Sequence, residues 1–291
     1  MMRTIWRERA SYLLIMPIVV LYLVFSIYPI INTFQMSFYD AKIVKLGPFV
    51  GFKNYAGIVS DPYFRQAFTN SITFTAGSII IILVVSTVLS VLLNAPTVRF
   101  RTFFKVIYFL PVVTSFVATS YIWKWMYDPV FGVVNTFLGL LGIQGPEWLS
   151  DPDIALLSLV LVNAWKWTGY FMVIIMANLQ LIEPELYEAA AIDGASSLHQ
   201  FFRVTLPLLR GTLGLCVLLC IVNFLRTFSL VFVMTRGGPA GATEMITTFV
   251  YMQAFGTGRM AFGLSAAASM LLFALIMVFT LISNRLIVRR G

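Results

Sequence analysis

Charge is what this sequence has least of. Asp, Glu, Lys and Arg make up 11% of its 291 residues, less than half of the roughly 25% of an ordinary soluble domain. A chain so poor in ions cannot coat a water-exposed globule. Histidine occurs once, His199, and cysteine twice, Cys216 and Cys220, four apart inside one apolar run. Thiols so placed serve as small packing groups, and with a single histidine they fall short of a zinc ligand set or a disulfide framework. No metal site is expected. Also missing is the G-x-x-x-x-G-K-[ST] loop that cradles nucleotide phosphates; the nearest approach, "GPFVGFKN", has the wrong spacing and lacks the Ser or Thr. There is no G-x-S-x-G nucleophile elbow and no carboxylate within any long apolar run. No residue is assigned to catalysis, and no cofactor is expected on this chain.

What is abundant is hydrocarbon. Apolar residues reach 59%, against about 45–50% in soluble domains. Six runs, Tyr12–Phe34, Ile72–Leu93, Val106–Met126, Ile154–Ala177, Leu208–Met234 and Ala261–Ile282, are each long enough for the ~20 helical residues that cross a bilayer. Helix is the default, because a spanning segment must satisfy its own backbone hydrogen bonds. The expected architecture is an all-α polytopic membrane protein with six transmembrane helices, one domain over residues 1–291. The first run is too long for a secretory leader and has no A-x-A-like exit, so a retained span is expected.

The formal charge of +8 belongs to this topology and not to nucleic acid, since the basic residues gather at the ends of apolar runs. Eleven of them, including Arg3, Arg7, Arg99, Arg101, Arg203, Arg289 and Arg290, fall on one side, and seven, including Lys45, Lys53, Lys124 and Arg259, on the other. Positive residues stay inside, which places both termini in the cytoplasm. On the outer side, "DPYFRQAFTNS" suggests a short helix leading into the second span, with Asp61 as its cap and Pro62 in its first turn. "DPVFGVVNTFLGLLGI" puts Phe131, Val134, Phe137, Leu138 and Leu141 on one helical face, as in a helix lying on the membrane surface.

Residues 183–207 interrupt this pattern with "EPELYEAAAIDGASSLHQFFRVTLP". Pro184 suits a first helical turn, Gly194 a left-handed stop after Ile192 and Asp193, and Ser196 or Ser197 the cap of a second short helix. The result is a helix, turn, helix hairpin on the cytoplasmic side. Glu188-Ala189-Ala190, Gly194, Val204 and Leu206-Pro207 resemble the EAA-x3-G-x9-I-x-L-P signature of the permease subunits of binding-protein-dependent ABC importers, with Val204 as an aliphatic departure. Asp193 stands beside the signature glycine. "PIVVLYLVFSIYPIINTFQMSF", "FLPVVTSFVATSYIWKWMYDPVFGVVN" and "VFVMTRGGPAGATEMITTFVYMQAF" are similar to that family's sugar and glycerol-phosphate (maltose-type) subfamily.

The resemblance implies a type I importer permease fold in a bacterial or archaeal cytoplasmic membrane. It implies that the hairpin between spans four and five is a coupling helix docked on an ATP-hydrolysing subunit. The expected partners are a second homologous permease, two ATPase subunits that carry ATP and Mg, and an extracytoplasmic solute-binding protein. A substrate path would be marked by polar groups inside spans, which are costly in lipid. Asn163, Lys166, Trp167 and Tyr170 in the fourth run and Asn223, Arg226 and Thr227 in the fifth are the candidates; the aromatics and amides fit a sugar in kind. Lys166 and Arg226 equally suit structural pairing, contact with backbone carbonyls, or snorkelling. The other class left open is a self-sufficient secondary transporter or channel, against which the sequence shows neither an inverted repeat nor a broken-helix pair.

Overall fold

The computed structural model describes residues 9–42, 46–95, 98–256 and 260–288. Arg3, Arg7, Lys45, Arg259, Arg289 and Arg290, which entered the charge count, lie outside these residues. The described chain is helical, and its β structure is limited to two isolated bridges, Tyr39 with Phe49 and Lys42 with Ala261. Helix α1 runs from Arg9–Tyr22 through a π turn at Leu23–Ile27 into Tyr28–Met36. It is followed by α2 (Lys53–Ser60), α3 (Pro62–Asn94), α4 (Arg101–Val113), α5 (Phe116–Met126), α6 (Val133–Leu140) and α7 (Pro152–Leu179). Then come α8 (Pro184–Ile192), α9 (Ser197–Leu208), α10 (Arg210–Phe224), α11 (Ser229–Met234), α12 (Ile246–Phe255) and α13 (Phe262–Val288).

Among the described residues, four helices are long and apolar enough to cross a membrane, or up to six crossings if each of two bent pairs forms one span. The four are the predicted first, second, fourth and sixth spans. The predicted third and fifth are not single helices. Val106–Met126 is divided between α4 and α5, which meet at 101°. Pro111 lies inside the end of α4, Thr114 and Ser115 are extended, and the Ser115 hydroxyl caps α5 by accepting the Ala118 N–H at 3.1 Å. A proline removes a helix donor and a serine cap opens a new helix, so the chain turns where hydropathy alone runs on. Leu208–Met234 is likewise divided: α10 ends at Phe224, and Leu225–Phe228 separate it from α11. A broken helix is thus present where the sequence reading found none. The short helix expected at Pro62 does begin there, but it continues as α3 for 33 residues without a break.

Two compact units are present, one of residues 1–61 and 250–271, the other of residues 62–249 and 272–291. In the first, the Asn54 amide donates to the carbonyls of Ser37 (2.9 Å) and Tyr39 (3.0 Å), and the hydroxyls of Ser37 and Tyr55 meet at 2.7 Å. In the second, α3 packs along α7. The buried stripe of α3 includes Ser71, Phe74, Ser78, Ile82, Ser86 and Ser90 at helical spacing. Small residues let two backbones approach in an apolar medium, and hydroxyls then bond across the gap. Ser86 and Ser90 donate to the carbonyls of Thr168 and Met172, both at 2.9 Å. Gly169 permits a second close crossing: a Cβ there would collide with the Tyr108 carbonyl of α4. Cys216 and Cys220 are fully buried on α10, in the packing role expected of them.

Candidate functional site

The hairpin is built by its caps. Pro184 opens α8 after an extended Glu183. At the other end the Gly194 N–H donates to the Ala191 carbonyl at 3.0 Å and the Ala195 N–H to the Ala190 carbonyl at 2.9 Å, the paired bonds of a Schellman closure. That closure needs a left-handed residue, and Gly194 supplies it with φ +78°. The Ser196 hydroxyl then caps α9 through the His199 N–H at 3.4 Å. The two arms are braced by a bond the sequence reading did not foresee, between the hydroxyls of Tyr187 and buried Thr205 at 3.0 Å.

Between the arms lies a cleft of about 450 Å³ lined by Ala190, Asp193, Gly194, Ala195, Ser196, His199, Gln200, Arg203 and Val204. Four signature-stretch residues, Ala190, Asp193, Gly194 and Val204, are therefore brought together although Val204 lies a full arm away. Glu188 and Ala189 are exposed on the outer face of α8 and do not line it; Leu206 and Pro207 are half-buried where α9 bends by 65° into α10. The cleft mixes alanine floor with an acid, a base and a histidine at its rim.

The polar residues of α7 are arranged differently. Lys166 is 2% exposed, and its ammonium donates to the carbonyls of Pro111 (3.0 Å) and Thr114 (2.6 Å) and approaches the Thr114 hydroxyl at 3.4 Å. An ammonium has three N–H donors, and here three acceptors receive them. The Phe116 ring covers it at 4.6 Å. The carbonyls it holds are those freed at the break between α4 and α5. Lys166, Trp167, Thr114, Ser115 and Phe116 border a cavity of about 180 Å³. Thr114 and Ser115 had not been singled out, though a Thr-Ser pair after a proline is a legible cap signal.

Trp167 packs on Phe116, Tyr170, Phe171 and Phe224, its ring centroid 5.5 Å from that of Tyr170. Asn163 is buried and donates to the Ser78 hydroxyl at 3.0 Å, leaving its own carbonyl oxygen unbonded. Asn223 is exposed on the last turn of α10 and bonds the Leu219 carbonyl at 2.7 Å. Arg226 and Thr227 lie in the segment between α10 and α11 and not inside a helix; Arg226 is exposed, and the Thr227 carbonyl accepts the Thr247 hydroxyl at 2.5 Å. The α7 group and Phe224 thus form one cluster, while Arg226 stands outside it.

The chain is 32% identical, over 95% of its length and 93% of the relative's, to the trehalose/maltose transport system permease protein of Thermococcus litoralis. It is 31% identical to the arabinooligosaccharides transport system permease protein of Bacillus subtilis, over 96% and 89% of the two chains. Its fold matches a chain of the bacterial alginate ABC transporter crystallised with an alginate pentasaccharide-bound periplasmic protein, with a TM-score of 0.83, 22% identity and coverage of 97% and 95%. Residues 86–290, which hold the hairpin, the clasped lysine and both broken helices, match the binding-protein-dependent transport system inner membrane components. This chain belongs to that family, as a helical permease of the ABC importer type.

Proposed function

We propose that this permease carries a sugar or related polyol, free or phosphorylated, inward across the cytoplasmic membrane with energy from ATPase subunits that engage the hairpin of α8 and α9. The observation that carries the reading is the cleft, which gathers Ala190, Asp193, Gly194 and Val204 into one pocket shaped for another protein. In this reading the chain forms half of a permease heterodimer, two partner subunits bind ATP and Mg, and a solute-binding protein delivers cargo on the opposite side. Both termini face the cytoplasm. The sugar class rests on what the relatives are named for, trehalose/maltose and arabinooligosaccharides, and on the aromatic group of Trp167 and Tyr170 on α7.

Lys166 then acts as a clasp on the broken helix, because its donors are already matched by backbone and hydroxyl oxygens. A self-sufficient transporter or channel draws support from that same break, since discontinuous helices are common in such proteins. One experiment separates the two. The chain is reconstituted in proteoliposomes with the permease, ATPase and binding-protein subunits encoded beside it, and labelled oligosaccharide uptake is followed. Uptake should need ATP and every partner, and Ala190→Arg, which fills the cleft, should abolish it together with co-purification of the ATPase. Accumulation by the chain alone would overturn the proposal.

A further inference from the structure

The segment from Pro129 to Pro146 contains no charged residue; Asp128 and Glu147 bracket it. Its helix α6 does not bury one apolar face, as the sequence pattern implied. Val134 and Leu138 turn inward, Val134 against the core, while Phe137, Leu140 and Leu141 are bared at 62%, 80% and 61% exposure. Phe131, on the turn before it, is 76% exposed. Nearly all polar atoms of the segment are satisfied internally. Asn135 donates to the Pro146 carbonyl at 3.2 Å and accepts the Trp148 indole N–H at 2.6 Å, and the Thr136 hydroxyl bonds back to the Gly132 carbonyl at 3.0 Å. Trp148 in turn stacks on Tyr127 with centroids 5.1 Å apart, and its carbonyl accepts the Ser158 hydroxyl of α7 at 2.8 Å. The apolar surface is therefore held rigidly to the Pro152 end of α7.

We infer that α6 and its flanking turns are an interfacial anchor that lies on the bilayer at the Pro152 end of α7, with Phe131, Phe137, Leu140 and Leu141 in the boundary between headgroups and acyl chains. Lipid is the occupant for two reasons. Val117, Tyr121 and Trp125 form an exposed stripe on α5, with the amphipathic aromatics typical of a membrane boundary, and the bared face of α6 follows it in the chain through Val130 and Phe131. A docked protein would, moreover, be registered by charges and hydrogen bonds, and this face offers almost none. Lipid requires only apolar area and a shallow seat.

The test is a nitroxide at Leu140→Cys, read in the assembled transporter in phosphatidylcholine and phosphatidylglycerol vesicles. Both native thiols are fully buried, so the unsubstituted protein serves as the unlabelled blank. Collisions with oxygen should exceed those with a water-soluble nickel chelate several-fold, and the ratio should invert at Glu147→Cys. A nickel-dominated signal at position 140 would place the helix in water, and low access to both reagents would place a protein over it; either result overturns the proposal. Phe137→Cys reads the same face independently and must give the same ratio.

Discussion

Helices α6 and α8 flank α7, a 28-residue helix about 42 Å long at 1.5 Å per residue, and both are closed by the same backbone device. In α6 the Gly142 N–H donates to the Gly139 carbonyl and the Ile143 N–H to the Leu138 carbonyl, both at 3.0 Å, just as Gly194 and Ala195 close α8. Gly142 and Gly194 have φ +74° and +78°, and at neither would a Cβ meet any atom within 4 Å. Backbone geometry therefore does not distinguish the two. Side chains do: α8 carries acids, a run of alanines and a cleft, whereas α6 carries bare Phe and Leu with no charge. The same capped helix presents a surface fit for protein at one end of α7 and for lipid at the other.

The largest effect should come from the lysine that secures the break upstream of α6. Lys166→Met leaves the carbonyls of Pro111 and Thr114 without their donor, a loss of about 2 kcal/mol. The purified complex should melt earlier, and a spin label on α6 should gain mobility while one on α8 does not. If stability were unchanged and only the KM for solute rose, Lys166 would be a substrate contact and the clasp reading would fail. A smaller and sharper test exchanges the two glycines. Valine at a left-handed position costs about 1–2 kcal/mol, roughly a tenfold loss of the correct closure. Gly194→Val should therefore reduce uptake and ATPase co-purification about tenfold, and Gly142→Val, with the same local strain, should leave both near the unsubstituted level. Gly194→Asn should restore most of the function, because asparagine tolerates the left-handed region. Equal uptake defects in the two valine variants would dissolve the contrast between the helices.

Much of this architecture is legible in the sequence. Pro184, Gly194 and Ser196 mark the hairpin because caps are local chemistry, and four of the six apolar runs are continuous helices because hydropathy and helical length agree there. The breaks were hidden by that same measure. Hydropathy records apolar content and not direction, so "LPVVTSFV" and "NFLRTFSLV" read as uninterrupted span although a proline and a serine cap stood in the first. The partners of Lys166 were out of reach for another reason: they are mostly main-chain carbonyls 52 and 55 residues away in the chain, and every residue has one. The crossing at Gly169 is similar, since the atom that demands glycine is a backbone oxygen of Tyr108. The sorting of α6 into an inward Val134 and Leu138 and an outward Phe137, Leu140 and Leu141 needed the position of the core, which helical periodicity alone does not contain.

The smallest predicted effect concerns how α6 begins. The Asp128 carboxylate accepts the N–H groups of Phe131 and Val130, both at 2.9 Å, and these bonds hold its pKa below the ordinary value of 3.8. A carboxyl group with a lowered folded-state pKa contributes stability above its unfolded value and loses it as the pH falls through the folded one. The turn before α6 should thus be insensitive to pH from neutrality down to about pH 5, and should loosen only under acid stronger than 3.8. Because the carboxylate is fully exposed, solvent screening keeps the change modest. Hydrogen-exchange protection of the Val130 and Phe131 amides, corrected for intrinsic rates, reports it directly. Asp128→Asn keeps one acceptor oxygen but cannot ionise, so protection should fall slightly at neutral pH and lose its acid dependence. Unchanged acid loosening in that variant would assign the effect to another group. α8, entered through Pro184 without a side-chain cap bond, should show no such dependence on Asp128, which confines this difference to the apolar end of α7.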